Sequence, residues 1–296
     1  MSAGVGVRAQ AGSLPDPAAV MAQAGAENFP VASRLLPRRV RADLLAVYGF
    51  ARLVDDIGDE VTGDRLALLD EIEADLERLW AGEAPRYELI AGLEAAKTAH
   101  ELPIQPFQAL LEANRRDQRV HRYPTFAGLL GYCELSANPV GELVLRLFEA
   151  ATPQRLELSN QVCTALQLIE HWQDVAEDYA AGRIYLPQED LARFGVPEAD
   201  LGQPSATPAL RELMAFEVRR ARQLLDQGAP LAGTLGGRPG FAVRGFVAGG
   251  RAALAAIERA GYDVLTVQPR AGRARRLALL LSELWRGRRR RGGAPK

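Results

Sequence analysis

The chain has 296 residues, which is long enough for one large domain or two small ones. Hydrophobic residues make up 48% and charged residues 25%, the profile of an ordinary globular protein with a substantial core. The two cysteines, Cys133 and Cys163, lie in apolar helical patterns, which favours reduced thiols in a cytoplasmic protein over a disulfide or metal site. No apolar run has the length expected of a membrane span.

Residues 1–24 are rich in alanine and glycine and lack the basic flank and apolar stretch of a signal peptide, which predicts a disordered leader. Beyond them, apolar residues recur at three- and four-residue spacing, whereas sustained alternation of β-branched residues is not found. Prolines and glycines mark the breaks between helices, but no break is long enough to require a domain linker. We therefore predict an all-α fold. Residues 25–285 should form a single helical-bundle domain, followed by a basic tail over residues 286–296.

The first acidic cluster, Asp55, Asp56 and Asp59, lies in YGFARLVDDIGDE. Its spacing places Asp55 and Asp59 on one helix face, where the two carboxylates can share a cation. Tyr48 and Arg52 precede them on the same face. Three carboxylates this close repel one another unless they are solvated or a metal ion compensates their charge.

The segment YCELSANPVG, residues 132–141, predicts a bent helix, because Pro139 interrupts a helical pattern. A bent helix with small residues leaves room for a long apolar chain against the backbone. Ala137, Val140 and Gly141 are therefore candidates for lining a substrate site. A loop connection is the alternative interpretation.

The second acidic cluster, Glu170, Asp174 and Asp178, has strict four-residue spacing, and Gln167 extends the same stripe. Like charges at this spacing destabilise a helix by about 0.2–0.5 kcal/mol a pair, so helix formation does not explain them. One such cluster alone is better explained as the polar face of an amphipathic helix. Two clusters, both within strongly apolar sequence, favour an inward-facing acidic cavity that requires counter-ions.

Oxygen ligands of this kind suit magnesium, which binds one or two carboxylates, water and substrate phosphates. The expected ligands are Asp55, Asp56, Asp59, Glu170, Asp174 and Asp178. Such a metal would activate a diphosphate leaving group, and Arg52 and Arg183 are candidate phosphate partners. The three histidines are scattered, which argues against zinc, and His171 is interpreted as structural or as a neighbour of the ligands.

Departure of a diphosphate leaves a carbocation, whose site should be apolar and supplied with aromatic faces. Aromatic residues near the motifs include Phe29, Tyr48, Tyr132 and Tyr185. For any one of them, packing in the core is the stronger expectation.

The pairing of YGFARLVDDIGDE with WQDVAEDYAAGRIYLP resembles the squalene/phytoene synthases, and the resemblance extends from Glu27 to about Arg276. It implies an all-α enzyme with the isoprenoid-synthase helical bundle around a central substrate cavity. Such an enzyme binds isoprenoid diphosphates through magnesium. The implied metal ligands are Asp55 and Asp59 in the first motif and Asp174 and Asp178 in the second. The resemblance also places Tyr48 and Arg52 beside the diphosphate and Gln167 on the second helix, with the aspartates and Tyr48 as the catalytic set.

The segments ENFPVASRLLPRR, SANPVG and WQDV are similar to one branch of that family. This branch converts presqualene diphosphate to hydroxysqualene in bacterial hopanoid synthesis without NADPH. Its pathway neighbours are a presqualene diphosphate synthase and a hydroxysqualene reductase. Two residues depart from the family pattern: Glu170 replaces a usual asparagine ligand, and Gln173 replaces a common phosphate-binding arginine. The loss of that arginine fits an enzyme that handles one diphosphate rather than two.

The C-terminal residues 267–296 include ten basic residues and one acidic residue, a charge of about +9. This pattern fits a helix at the anionic inner face of the membrane and, equally well, a solvated end on a core helix. No nucleic-acid recognition pattern accompanies it. Two rival functions stay open: a head-to-head prenyl transferase making presqualene diphosphate or phytoene, and a non-catalytic helical scaffold at the membrane surface.

Overall fold

The computed structural model describes residues 14–26 and 38–266, and in these ranges it contains fourteen α-helices and no β-strand. The helices are α1 (Pro17–Ala26), α2 (Arg38–Asp59), α3 (Arg65–Trp80), α4 (Glu88–Ala91), α5 (Glu94–His100), α6 (Gln105–Asp117), α7 (Phe126–Ser136), α8 (Asn138–Leu147), α9 (Pro153–Gln173), α10 (Val175–Ala180), α11 (Gln188–Phe194), α12 (Pro208–Gly228), α13 (Leu231–Thr234) and α14 (Gly237–Arg259). A 3-10 helix covers Glu198–Gly202. The all-α prediction is confirmed.

The helices bury two principal hydrophobic clusters. One lies around α9 and α12 and includes Trp172 and Met214, and the other lies around α2, α3 and α6 and includes Phe50 and Phe107. Helices α6, α7 and α8 contact one another, and α6 and α8 also pack on α2, whereas α7 and α8 pack on α9. The first acidic motif therefore belongs to one cluster and the second motif to the other, with α6–α8 between them.

The N-terminal helix α1 corrects the predicted disordered leader for residues 14–24. Its sequence AAVMA favours a helix, and Val20 is buried against the α2 cluster. The approach of α1 to α2 is close, because a Cβ added at Gly49 would lie 2.8 Å from Sδ of Met21. The hydroxyl of Tyr87 donates to the carbonyl of Pro15. Residues 1–13 lie outside the described part of the chain.

The predicted bend near Pro139 is confirmed. Helix α7 ends at Ser136 and α8 begins at Asn138, with Pro139 in the first turn, where its missing N–H costs no helical hydrogen bond. The interpretation of Gly141 as a residue that lines the substrate site stays a prediction. A Cβ at Gly141 would lie 2.5 Å from Oγ of Ser159 and 2.6 Å from Sγ of Cys163, so α8 uses this glycine to approach α9.

The spacing of the second acidic motif predicted one continuous helix. The structure instead divides the motif between α9 and α10. Helix α9 ends at Gln173, Asp174 has φ −103° and ψ 14°, and α10 begins at Val175. The amides of Asp174 and Asp178 still donate to the carbonyls four residues earlier, at 3.0 and 2.8 Å. The chain therefore keeps the four-residue spacing through the change of backbone conformation.

Helix α14 corrects the expectation about membrane spans. By length and composition alone, it is the one helix among the described residues that could cross a membrane. It packs on α9, α12 and α13, and it buries Val247, Leu254 and Ile257. A core helix meets the same length and composition criterion, so this signal carries little weight.

Candidate active site

The two acidic motifs meet through an arginine. Nη1 of Arg183, in the turn after α10, lies 3.2 Å from Oδ1 of Asp59 at the end of α2. A guanidinium in this position can bind a carboxylate or a phosphate with the same donors. The structure therefore brings the predicted phosphate partner Arg183 together with the first motif.

The first motif is divided between the protein interior and its surface. Asp56 is 5% exposed, and its Oδ1 forms an ion pair with Nη2 of Arg52 at 2.7 Å. The same nitrogen of Arg52 lies 2.9 Å from Oε1 of Glu60. Asp55 and Asp59 are exposed. Within this motif, Arg52 lies with Asp56 four residues later, and Asp56 is the buried carboxylate. An inward-facing stripe of Asp55 and Asp59 stays a prediction.

The second motif is more enclosed. Asp174 and Asp178 are buried, and Glu170 is partly buried. Nδ1 of His171 lies 3.8 Å from Oδ2 of Asp178, while its Nε2 lies 3.2 Å from Nε2 of Gln167. The imidazole stacks on the ring of Tyr185 with centroids 3.7 Å apart. His171 is thus a structural neighbour of the second motif, and Gln167 contacts the imidazole of His171.

Residues at the end of α6 contribute to this site, and the sequence motifs do not include them. Nδ2 of Asn114 donates to Oδ1 of Asp55 at 3.4 Å. Asp117 accepts hydrogen bonds from the hydroxyls of Tyr132 at 2.6 Å and Tyr185 at 3.2 Å. The only signal in the sequence is that EANRRD ends an amphipathic helix with polar residues, and that pattern is typical of any surface helix.

Two of the predicted aromatic residues, Tyr132 and Tyr185, form a ring cluster with Tyr123, which is not among the residues predicted from the sequence. The rings of Tyr123, Tyr132 and Tyr185 are all buried, with centroid separations of 5.6 to 5.8 Å. Burial, reinforced by the charge of Asp117, raises the pKa of Tyr123 above its ordinary value. The phenol of Tyr123 therefore stays neutral at physiological pH.

The remaining predicted residues lie in different settings. Tyr48 is buried in α2, Gln173 is partly buried at the end of α9, and Ala137 is partly buried at the bend. Val140 is exposed. Phe29 and the basic tail, residues 286–296, lie outside the described residues.

A small void lies beside His171, Asp178, Arg183 and Tyr185. The larger central substrate cavity stays a prediction, because residues 27–37, which include Phe29, lie outside the described ranges.

Carboxylates are suitable ligands for magnesium, but those of the two motifs do not form a complete metal site by themselves. Within residues 14–26 and 38–266, no group of three or more His, Cys, Asp or Glu side chains could hold a metal ion together. Magnesium commonly takes one or two carboxylates and completes its coordination with water and substrate phosphates. The oxygen-only donors of the two motifs therefore suit an ion that arrives with a diphosphate.

Comparison with known proteins identifies the family. The family profile for squalene/phytoene synthase matches residues 22–279. The chain belongs to this family. The resemblance predicted from the paired motifs is confirmed.

Individual squalene/phytoene synthases differ in the reaction that their names state. A hydroxysqualene synthase of Zymomonas mobilis is 35% identical over 209 residues, 69% of this chain and 69% of that protein. A presqualene diphosphate synthase of Rhodopseudomonas palustris is 34% identical over 212 residues, 71% of this chain and 75% of that protein. The crystal structure of squalene synthase HpnC from Alicyclobacillus acidocaldarius is similar with a TM-score of 0.77 and 44% identity, covering 82% of this chain and 92% of that one. The chain is therefore an enzyme of the squalene/phytoene synthase family, whose members catalyse more than one reaction.

Proposed function

We propose that this enzyme converts presqualene diphosphate to hydroxysqualene, with magnesium and without NADPH, in hopanoid synthesis. The observation that carries the proposal is the contact between Arg183 and Asp59, which puts a phosphate-binding cation between two carboxylate motifs. The 44% identity to a squalene synthase supports this branch of the family. Gln173 supports it as well, because a neutral residue there suits a substrate with one diphosphate.

The carboxylates of both motifs would hold the metal. Asp55 and Asp59 are exposed and accessible to an ion, and Asp174 and Asp178 lie on the opposed segment. Asp56 is a weaker candidate, since it already pairs with Arg52 in the protein interior. When bound, magnesium would neutralise the charge that develops on the diphosphate as the carbon–oxygen bond breaks.

Arg183 would bind the diphosphate directly. Its hydrogen bond to Asp59 can pass to a phosphate oxygen, because both acceptors are anionic. Arg52 lies on the same helix as Asp59 and would hold Asp56 and Glu60 in place beside the phosphate site.

The buried aromatic cluster would shield the carbocation. The ring face of Tyr132 carries negative electrostatic potential, which attracts a cation, whereas the ring of Tyr185 is stacked on His171 and would support the cluster from behind. After rearrangement, the oxygen of a water molecule forms the new bond to carbon, and the water loses a proton to solvent. No hydride is transferred, so no reductant is needed.

The test is incubation of the purified enzyme with presqualene diphosphate and magnesium, without NADPH. Hydroxysqualene and inorganic diphosphate should appear in equal amounts, measured by mass spectrometry and a phosphate assay. A parallel reaction with EDTA is the control and should give neither product. Recovery of unchanged presqualene diphosphate in the complete reaction would contradict the proposal.

Head-to-head prenyl transfer is the second candidate, and the 34% identity to a presqualene diphosphate synthase favours it. Incubation with farnesyl or geranylgeranyl diphosphate alone distinguishes the two reactions. Formation of presqualene diphosphate or phytoene would support the transferase. A non-catalytic scaffold would give no product from any of these substrates.

We further propose that the enzyme is cytoplasmic and contacts the inner membrane face peripherally through its basic C-terminus. There it would receive its substrate from a presqualene diphosphate synthase and supply a hydroxysqualene reductase. The charge of residues 267–296 motivates this proposal. Removal of the residues after Arg286 should weaken sedimentation with phosphatidylglycerol vesicles and leave sedimentation with neutral vesicles unchanged. Equal binding by the truncated and full chains would contradict the membrane contact.

A further inference from the structure

The last turn of α6 contacts groups that belong to both acidic motifs. Asn114 donates to Asp55 of the first motif. Asp117, three residues later, accepts from Tyr132 and Tyr185 with its two oxygens, at 2.6 and 3.2 Å. One helical turn therefore links the first motif to the buried tyrosine cluster.

The tyrosine cluster continues this link to the second motif. The ring of Tyr185 stacks on His171, with centroids 3.7 Å apart and planes 14° apart. His171 is 2% exposed, and its Nδ1 lies 3.8 Å from Oδ2 of Asp178. Because these rings are enclosed, a displacement of the Tyr185 hydroxyl has to move the imidazole or strain its stacking.

We propose that Asp117 is a positioning residue that holds Asp178 in the geometry needed for magnesium diphosphate, acting through Tyr185 and His171. The proposal rests on the magnesium and diphosphate part of the proposed function and is independent of which isoprenoid reacts. A carboxylate suits this task because its two oxygens accept from two phenols at once. An asparagine has one acceptor oxygen, so one of the two buried hydroxyls would lose its partner.

The experiment compares wild-type enzyme with Asp117→Asn, Asp117→Glu and Tyr185→Phe. Thermal shift is measured with increasing magnesium at fixed inorganic diphosphate, which reports binding without turnover. Partners of metal ligands typically contribute about 10–100-fold to metal affinity or activity. Asp117→Asn and Tyr185→Phe should therefore raise the magnesium midpoint about tenfold or more. Asp117→Glu, which keeps both oxygens, should recover part of the difference.

Tyr123→Phe is the matched control, because Tyr123 belongs to the same ring cluster but its hydroxyl has no hydrogen bond to Asp117. It should change the melting temperature without changing the magnesium midpoint. The double variant Asp117→Asn/Tyr185→Phe should have a midpoint close to that of either single variant, since both act through one contact.

Kinetic measurements separate positioning from a purely structural role. If the proposal is right, Asp117→Asn has a lower kcat than wild type and needs a higher magnesium concentration for half-maximal activity, when the two proteins are folded to the same extent. An unchanged magnesium midpoint and kcat in Asp117→Asn, with only a lower melting temperature, would overturn the proposal. If that variant does not fold, Tyr185→Phe with a wild-type midpoint overturns it equally. Magnesium diphosphate binding without hydroxysqualene formation in the wild type would instead contradict the proposed function alone.

Discussion

Nη1 of Arg183 contacts Oδ1 of Asp59 at 3.2 Å, although 124 residues separate the two along the chain. The contact is accessible, with 21% of the Arg183 side chain and 43% of the Asp59 side chain exposed. Ion pairs exposed to this degree typically contribute less than about 1 kcal/mol to stability. Arg183 can therefore exchange Asp59 for an anionic ligand at little cost, which suits the proposed diphosphate site.

Substitution of Arg183 should weaken diphosphate binding more than it changes stability. Arg183→Ala removes charge-assisted hydrogen bonds worth about 1.5–3 kcal/mol, which corresponds to about 10–150-fold in affinity. Arg183→Lys should recover only part of the lost affinity, because an ammonium group lacks the planar pair of donors of a guanidinium. Calorimetric titration with magnesium diphosphate measures the effect. Arg251→Ala, which removes an exposed pair with Asp226, is the matched control and should bind like wild type. Wild-type affinity in Arg183→Ala would contradict the assigned role.

Neutral replacement of the motif carboxylates should abolish activity without unfolding the protein. Asp55→Asn and Asp174→Asn each remove the charge of a proposed metal ligand, so kcat/KM should fall by about 100-fold or more, as for groups that stabilise developing charge. Circular dichroism verifies the fold, and Asp226→Asn on the exposed face of α12 is the control. If both folded variants keep wild-type activity, the motifs have no catalytic role.

The contribution of Glu217 to protein stability should decrease from acid to neutral pH. Glu217 is fully buried in α12, and burial raises its pKa from 4.5 to about 8, with Arg220 lowering the value and Asp190 raising it. The folded protein therefore binds a proton that the unfolded chain releases above pH 4.5. The stabilisation is complete below that pH and is lost as the pH rises towards 8.

The variant Glu217→Gln should have a flatter stability profile over this range, since glutamine mimics the protonated acid. One titrating proton contributes a slope of at most about 1.4 kcal/mol per pH unit. Urea unfolding at several pH values measures the slope. The exposed Glu258→Gln, which only removes the pair with Arg222, should retain the wild-type profile. Parallel profiles for Glu217→Gln and wild type would show that this carboxyl is ionised in the folded protein.

A methyl group at Gly141 should destabilise the enzyme, although alanine is the better helix former. Its Cβ would lie 2.5 Å from Oγ of Ser159 and 2.6 Å from Sγ of Cys163, so these side chains must change rotamer or α8 and α9 must separate, at a cost of about 1–3 kcal/mol. Gly131→Ala in α7 is the matched control, because its nearest neighbour is Nη1 of Arg116 at 4.0 Å. That variant should be neutral or stabilising by up to about 1 kcal/mol. Thermal and urea unfolding measure both, and equal stabilities would contradict the close approach of α8 to α9.

Sequence reasoning identified the helices and the motifs because their signals are local. Apolar spacing of three and four residues predicts helices, and a proline within such a pattern predicts the bend between α7 and α8. The four-residue spacing of Asp174 and Asp178 likewise predicted neighbouring carboxylates. The sequence does not predict helix α1, because a short alanine-rich segment is stable as a helix only when Val20 packs against apolar residues of α2.

The site was predicted less completely, because several of its contacts join distant parts of the chain. No local pattern distinguishes Asn114 and Asp117 from other polar residues at the end of a helix, and their partners are 15 to 68 residues away. The same limit applies to Asp56: spacing grouped Asp55 with Asp59, whereas packing buried Asp56 with Arg52. Helix periodicity gives the relative directions of side chains, but the neighbouring helices decide which direction is buried.

The sequence by itself determined that the chain is helical, that it has two carboxylate motifs, and that these belong to a squalene/phytoene synthase. The first two properties follow from the composition and spacing of residues within single helices, and the family follows from the resemblance of the paired motifs to its known members. Only the tertiary structure decided that Arg183 reaches Asp59 and that Asp117 connects two tyrosines. Such contacts depend on how α2, α6, α7 and the segment after α10 pack together. That packing minimises exposed apolar surface over the whole chain, so no single segment of the sequence specifies it.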